Sequence, residues 1–365
     1  MLLIDLQAEA TRQLTICNAC RYCEGYCAVF PALEIRRDLE RGDLVYLANL
    51  CHDCRACYYA CMYAPPHEFG VNVPKVLSAV REETYSRYSW PRFAAKIFAR
   101  GALWTILACA LAAVVIASGI ALFAPDHRLF GVVLASGSFY EFVPYLTLVS
   151  VFLALGVFVL VATIAGALSF WRDTSSPLRD LLNLRALRQA SRDALKLRYM
   201  RGGGDGCFYP SDQPSPHRRI AHSLVFYGFF LDLAATATAA LMQDVWRVMP
   251  PYPLVSVPVV LGVTGGVMLV LGTSSLIWLK ERSDTVPSSA GMRLKDYALL
   301  TSLDLVAITG FLILGLRTTS LLGVTLAVHL ASVGVLFLTM PYGKFVHFGY
   351  RYLALVQNAL ESHQS

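Results

Sequence analysis

Residues 17–27 read Cys-Asn-Ala-Cys-Arg-Tyr-Cys-Glu-Gly-Tyr-Cys, and residues 51–61 repeat the spacing as Cys-His-Asp-Cys-Arg-Ala-Cys-Tyr-Tyr-Ala-Cys. Both are Cys-x2-Cys-x2-Cys-x3-Cys runs, and together they hold eight of the ten cysteines. Four thiolates converging from so short a span suit a cubane iron–sulfur cluster, and in two-cluster ferredoxins the fourth cysteine of each run ligates the other run's cluster. The spacing therefore predicts two [4Fe-4S] clusters, one on Cys17, Cys20, Cys23 and Cys61 and the other on Cys51, Cys54, Cys57 and Cys27. Zinc knuckles seldom carry a third cysteine at the next x2 step. Disulfides need an oxidising compartment, and Met1 to Ile16 shows no basic then apolar leader pattern. The proline that often follows the fourth cysteine is replaced by Ala28 and Met62, with Pro31 and Pro65 a few residues on.

Working outward, residues 28–50 interleave Leu33, Ile35, Leu39, Leu44 and Leu47 with charged residues at helical rather than alternating spacing, so helical connections are expected between the runs. Beyond residue 100 the chain turns apolar, with stretches at about 102–123, 145–170, 220–241, 254–279, 297–316 and 321–340 long enough to cross a bilayer. Residues 129–143, interrupted by Gly131 and Gly137 and followed by Pro144, read as a lid or interfacial helix. The expected organisation is a ferredoxin-like domain over 1–95, a six-span membrane domain over 96–350 with a basic loop over 171–219, and a tail over 351–365.

The loop carries Arg172, Arg179, Arg185, Arg188, Arg192, Lys196, Arg198, Arg201, Arg218 and Arg219, whereas the links after spans one, three and five carry Arg128, Arg247 and Arg317. The positive-inside rule puts both termini and the loop in the cytoplasm, a reducing compartment that suits iron–sulfur thiolates. The net charge of +6 is mostly this bias and says nothing about nucleic acid; membrane lipid, and no nucleic acid, is the expected partner. Residues 177–200 read as a basic amphipathic helix, lying on the membrane or simply solvated. The Gly202–Gly206 stretch and Cys207 read as a turn with a structural cysteine, since no Lys-Ser or Lys-Thr ending marks a phosphate loop.

Electrons brought to a membrane need an onward acceptor, and bis-histidine ligation of haem b requires two imidazoles at similar depth on facing helices. His222 and His347 meet that requirement at the cytoplasmic ends of spans three and six, with His217 an alternative to His222. His329 is 18 residues from His347, ~27 Å along a helix, so it belongs to a different level, where Asp232 stands in the place of a partner histidine. Asp232 and Asp304 inside the spans are candidates for proton handling at a quinone site, or for plain hydrogen-bonded carboxylates. The fold class expected is mainly α: a helical two-cluster ferredoxin-like domain fused to a six-helix, cytochrome b-like bundle.

The two cysteine runs, Gly202-Gly-Gly-Asp-Gly-Cys-Phe-Tyr-Pro210, His222-Ser-Leu-Val-Phe-Tyr-Gly-Phe229 and Pro341-Tyr-Gly-Lys-Phe-Val-His347 with Tyr350-Arg351 resemble the tricarballylate utilisation protein B, or CitB, family across nearly the whole chain. The resemblance implies a bacterial inner-membrane protein with two [4Fe-4S] clusters and haem b. Such a protein reoxidises the flavin of a partner FAD-dependent tricarballylate dehydrogenase and passes the electrons to quinone. The membrane half is distantly similar to the gamma subunit of respiratory nitrate reductase, where each of two helices gives two histidines; Asp232 favours a single haem here. Nothing in the chain resembles a flavin or nicotinamide fold, so substrate chemistry belongs to the partner. A cluster and cytochrome subunit of a heterodisulfide-reductase-like enzyme would need more cysteine-rich sequence than Cys109 and Cys207 add. A membrane redox sensor would need an output domain, and only about 25 residues follow span six.

Overall fold

The computed structural model describes residues 3–99, 102–123, 130–132, 137, 139–174 and 177–362. The fold is mainly α. The N-terminal part builds on α1 (Leu3–Cys20), α2 (Val29–Glu34), α3 (Arg41–Leu50), α4 (Ala56–Tyr59) and α5 (Val73–Arg87). Local signals set these helices: Glu40 and Asp43 form a capping box at the start of α3, and the Asn72 side chain accepts from Lys75 N (3.2 Å), with Pro74 in the first turn of α5. Ala10 and Leu14 of α1, Leu44 and Leu47 of α3 and Leu77 of α5 close one core, in which each is at most 2% exposed. The connection between the cysteine runs is helical, although Ile35 lies outside that core at 57% exposure.

After α6 (Arg92–Ala99), α7 (Ala102–Phe123) occupies the first expected apolar stretch. Among the described residues, five helices are long and apolar enough to cross a membrane: α9 (Tyr145–Asp173), α11 (His217–Asp244), α12 (Val257–Arg282), α13 (Ala290–Leu316) and α14 (Leu322–Thr339). The lid or interfacial helix expected over 129–143 falls partly outside the described residues. Its described end holds the short α8 (Phe139–Phe142), with Phe142 and Val143 buried against Leu322 and Leu326.

α11 and α12 cross on small residues. A Cβ at Gly228 would lie 2.9 Å from Gly265 O and 3.1 Å from Leu269 N, and one at Gly272 would lie 2.9 Å from Ala221 O. Ala221 and Gly228 on α11 thus meet Gly272 and Gly265 on α12 in one antiparallel seam seven residues apart on each helix. The neighbours are backbone atoms that cannot swing aside, so the contact depends on glycine and lets the two helices approach closely. This seam holds the helix that begins at His217 in register with its neighbour.

Two segments differ from the sequence expectation. Residues 177–200 contain α10 (Leu184–Leu195), capped by Asn183, whose fully buried Ala186 and Ala190 join the core that includes α15 (His347–Ser362). The helix uses its narrow alanine face for protein contact, and Ser191 meets Tyr352 at 3.0 Å. The expected tail over 351–365 is helical through Ser362, with Ala354, Leu355, Val356 and Ala359 buried in the same core. Glu361 pairs with Arg36 at 2.6 Å and accepts from Tyr46 Oη at 3.0 Å. Glu361 thus ties this helix to Arg36 and to Tyr46 of α3.

Candidate metal centre

The first cysteine run straddles a helix end. Cys17 and Cys20 lie on the last turn of α1, which stops at Arg21 in the left-handed region (φ 56°), and the turn that follows returns Cys23 and Cys27 toward it. The second run starts as α3 ends. Cys51 N still bonds Leu47 O (3.0 Å), after which Asp53 and Arg55 adopt φ of 54° and 65° and α4 carries Cys57. Two non-glycine residues in that region within three positions mark a loop held by its surroundings.

The thiols assemble in two groups. Cys17 interacts with Cys61, Cys23 and Cys20, and the cavity beside them is lined by those four together with Phe30 and Tyr63. Cys27 interacts first with Cys51 and also with Cys23, Cys54 with Cys27, Cys207 and Cys51, and Cys57 with Cys54, Cys27, Cys51 and Cys23. The leading thiol neighbour of Cys17 is Cys61 and that of Cys27 is Cys51, an order that fits the crossed pattern. Burial, then the neighbouring thiols, pushes Cys17 and Cys23 up to about 12, and burial, then Cys51, does the same to Cys27. Sulfurs so placed are stable as thiolates only around a cationic core, which is what an iron–sulfur cube supplies. Among the described residues no three His, Cys, Asp or Glu are grouped to share a single ion; a cubane spreads its thiolates over four corners, farther apart than the ligands of one ion.

The two groups have different surroundings. Cys20 is exposed, and the first group faces an apolar cavity. Around the second group, Arg81 donates to Cys51 O (2.5 Å) and Arg351 to the same oxygen (2.9 Å). Arg218 donates to Asp53 O (2.8 Å) and His52 O (2.9 Å) and lies 3.6 Å from Cys207 Sγ. The Tyr209 ring lies between Arg55 and Arg218, at 3.8 and 4.7 Å from its centre, and its hydroxyl donates to Asp53 (2.9 Å). Burial raises Asp53, but Arg55, Arg218 and Arg81 outweigh it and hold the carboxyl below its usual range. The glycine-rich stretch serves this site. Gly206, at φ 127° and packed against the Ser215 backbone, lets strands β1 (Cys207–Phe208) and β2 (Pro214–Ser215) pair, and Phe208 N donates to Cys54 O (2.9 Å).

Arg351 links the second group to the histidines. It stands one helical turn beyond His347 on α15, ~6 Å along the axis. His347 and His222 face each other with ring centres 6.3 Å apart and planes at 90°. Two imidazoles on opposite sides of one metal, with bonds of about 2 Å, place their ring centres ~6 Å apart. His347 Nδ1 contacts Lys344 O (2.6 Å), so it carries the proton and leaves the Nε2 lone pair free to bind a metal. Burial, then Arg351 and Lys344, holds His347 well below the usual imidazole range and hence neutral, the ligating form. His222 Nδ1 is buried without a partner. These features fit a bis-imidazole iron.

The other candidate positions lie apart from this pair. His217 is exposed at the first residue of α11. His329 Nδ1 meets Thr309 Oγ1 at 2.9 Å, while Asp232 packs against Gly265. Asp304 accepts from Thr273 Oγ1 at 2.5 Å. The sequence reading did not single out Asp296, which is 7% exposed and pairs with Lys280 (2.5 Å) and with Lys344, three residues before His347. It also passed over Arg55 and Arg81, quoted Arg351 only within the family resemblance and counted Arg218 only as a topology charge. The available signals were Arg218 beside the first histidines of span three and Arg351 four residues after His347.

The family model described as Citrate utilization protein B matches residues 96–365, and that described as Citrate utilization protein B Fer4-like domain matches residues 10–87, across both cysteine runs. An Escherichia coli protein described as Citrate utilization protein B is 38% identical over 366 residues, covering 99% of this chain and 94% of that protein. No solved structure matches the chain. With its two thiol groups in a Fer4-like segment and the matched remainder carrying the apolar helices, the chain belongs to the citrate utilization protein B family.

Proposed function

We propose that the protein is a membrane electron carrier that takes electrons from the reduced flavin of a separate dehydrogenase and delivers them to quinone. The observation that carries this reading is the continuity of the sites: two thiol groups that share crossed cysteines, then Arg351 joining the Cys51 carbonyl to the helix that bears His347. When bound, a [4Fe-4S] cluster on each thiolate group and haem b on His222 and His347 would supply one-electron steps between a two-electron donor and a two-electron acceptor. The chain's own residues set the conditions. Exposed Cys20 puts the first group at the surface, where a soluble partner can approach, and buried Arg81 with half-buried Arg218 and Arg351 sets positive charge beside the second, which favours an added electron. Lys344 O fixes the His347 tautomer.

In this reading 1–95 faces the bacterial cytoplasm, 96–350 spans the inner membrane six times, and both termini are cytoplasmic. The partner is an FAD-dependent tricarballylate dehydrogenase, or a citrate-related one. Each flavin hydroquinone releases two electrons and two protons, and each quinone takes up the same number to become quinol. Under anaerobic conditions, the chain in proteoliposomes with decyl-ubiquinone is expected to reoxidise the substrate-reduced flavoprotein, followed at the flavin band. A flavin that stays reduced with both chain and quinone present would overturn the proposal.

A further inference from the structure

We infer that the strip from Leu178 to Lys196 lies along the bilayer surface and that its exposed arginines bind the phosphate of anionic phospholipid headgroups. This requires only that α9 and α11 cross the bilayer, so it holds or fails independently of the electron-carrier reading. The strip comprises the turn Leu178–Leu182 and α10, a helix of 12 residues, ~18 Å long.

Both ends of the strip are tied to spans. Trp171 Nε1, in the last turn of α9, donates to Pro177 O (3.1 Å) just before Leu178. At the far end the Tyr227 hydroxyl of α11 donates to Leu195 O (2.7 Å), and Arg219 of the same helix donates to Lys196 O (3.5 Å). α9 and α11 follow one another as spans, so the end of the first and the start of the second lie on one side of the bilayer. A segment fastened to both runs at that level, where a tyrosine with an apolar ring and a polar tip is at home.

The chemistry of the outward face selects the occupant. The buried Ala186 and Ala190 take one side of α10, while Leu184, Arg188, Arg192 and Leu195 recur at helical spacing on the opposite side, flanked by Arg185 and Lys196, all of them exposed. Leu178, Leu182, Leu184 and Leu195 are between 46% and 79% exposed. Arg185, Arg188, Arg192 and Lys196 have no carboxylate partner among the described residues, since Asp193, the acidic residue of α10, is buried and pairs with Arg198 (3.3 Å). Water alone would leave large leucines solvated beside uncompensated charge. A bilayer surface serves both: the leucines enter the acyl boundary, and the forked guanidinium donors match phosphate oxygens at headgroup level. The strip also adjoins Ile220 and Tyr227, exposed side chains of a span, so its apolar edge continues a lipid-facing surface.

Titration of the purified chain in dodecyl maltoside with NBD-labelled phosphatidylglycerol or phosphatidylcholine, followed by fluorescence anisotropy, tests the strip. A basic residue at an anionic lipid surface is worth roughly fivefold in affinity, so the wild type is expected to bind phosphatidylglycerol roughly tenfold or more tighter than phosphatidylcholine. In the triple variant Arg185→Gln, Arg188→Gln, Arg192→Gln the preference is expected to fall to about twofold or less, with an unchanged melting temperature because the three side chains are exposed and unpaired. Arg247→Gln, in the link after α11, is expected to keep the full preference. A wild type without preference for phosphatidylglycerol, or a triple variant that retains it, would overturn the inference. A triple variant that keeps the lipid preference but no longer reoxidises the reduced flavoprotein would overturn it in favour of a protein docking face.

Discussion

Cys27→Ser is expected to remove a cluster held by the second run and to leave one held by the first. Counted along the chain, Cys27 belongs with Cys17, Cys20 and Cys23, and an uncrossed arrangement predicts the opposite loss. In space its strongest thiol neighbour is Cys51, and both Cys54 and Cys57 interact with it. A serine oxygen in place of one thiolate exposes an iron corner, so about four irons per chain should be lost. The complementary Cys61→Ser should spare the buried, arginine-lined group and remove the surface one. Iron content and the EPR spectrum of the dithionite-reduced variants separate the cases. Loss of the surface centre in Cys27→Ser would disprove the crossed grouping.

His347→Ala, or His222→Ala, is expected to abolish the reduced haem b α-band that the proposed function requires, whereas His217→Ala is expected to keep it. The two rings stand 6.3 Å apart, the spacing of ligands on either side of one iron, and His217 is exposed at its helix start. The iron–sulfur absorbance should persist in all three variants, because the cysteines sit on other elements. A band of full intensity in both His222→Ala and His347→Ala would return the pair to a structural role. A milder effect is expected of Lys344→Met. It leaves the Lys344 carbonyl that orients His347 in place but removes a cation paired with Asp296. Asp296 keeps its pair with Lys280, so the cost should fall below the ~3–5 kcal/mol typical of a buried charge left unpaired, and this variant should show its defect in thermal stability rather than in the spectrum.

How much of this was legible in the sequence varied with the range of the interaction. The cysteine runs and the apolar helices are local patterns, and each appears as spacing or as unbroken hydropathy. His222 and His347 were paired by depth, which needs only helix length. The arginine surroundings of the second group were not legible, because Arg55, Arg81, Arg218 and Arg351 come from four distant positions and meet only in the fold. Arg218 illustrates why: as a charge before an apolar span it reads as a topology signal, yet its guanidinium donates to the carbonyls of His52 and Asp53. The last fifteen residues looked like a tail because Gln357, Asn358 and Glu361 are polar, and the partners of Asn358 on Tyr199 and of Glu361 on Arg36 and Tyr46 lie far away in the chain. Cys207 was read as structural, and its sulfur accordingly contacts Met200 O (3.3 Å) and Arg218. The docking of its neighbour Phe208 on Cys54 was invisible without the hairpin.

The most direct test of the electron-carrier account is an anaerobic redox titration of the purified wild-type chain, followed by EPR and optical absorbance. The account predicts two one-electron iron–sulfur steps, with the centre on Cys51, Cys54, Cys57 and Cys27 reduced at the higher potential because of its arginines, and a separate haem step. A chain that carries stoichiometric zinc and shows no iron–sulfur signal on reduction would contradict it.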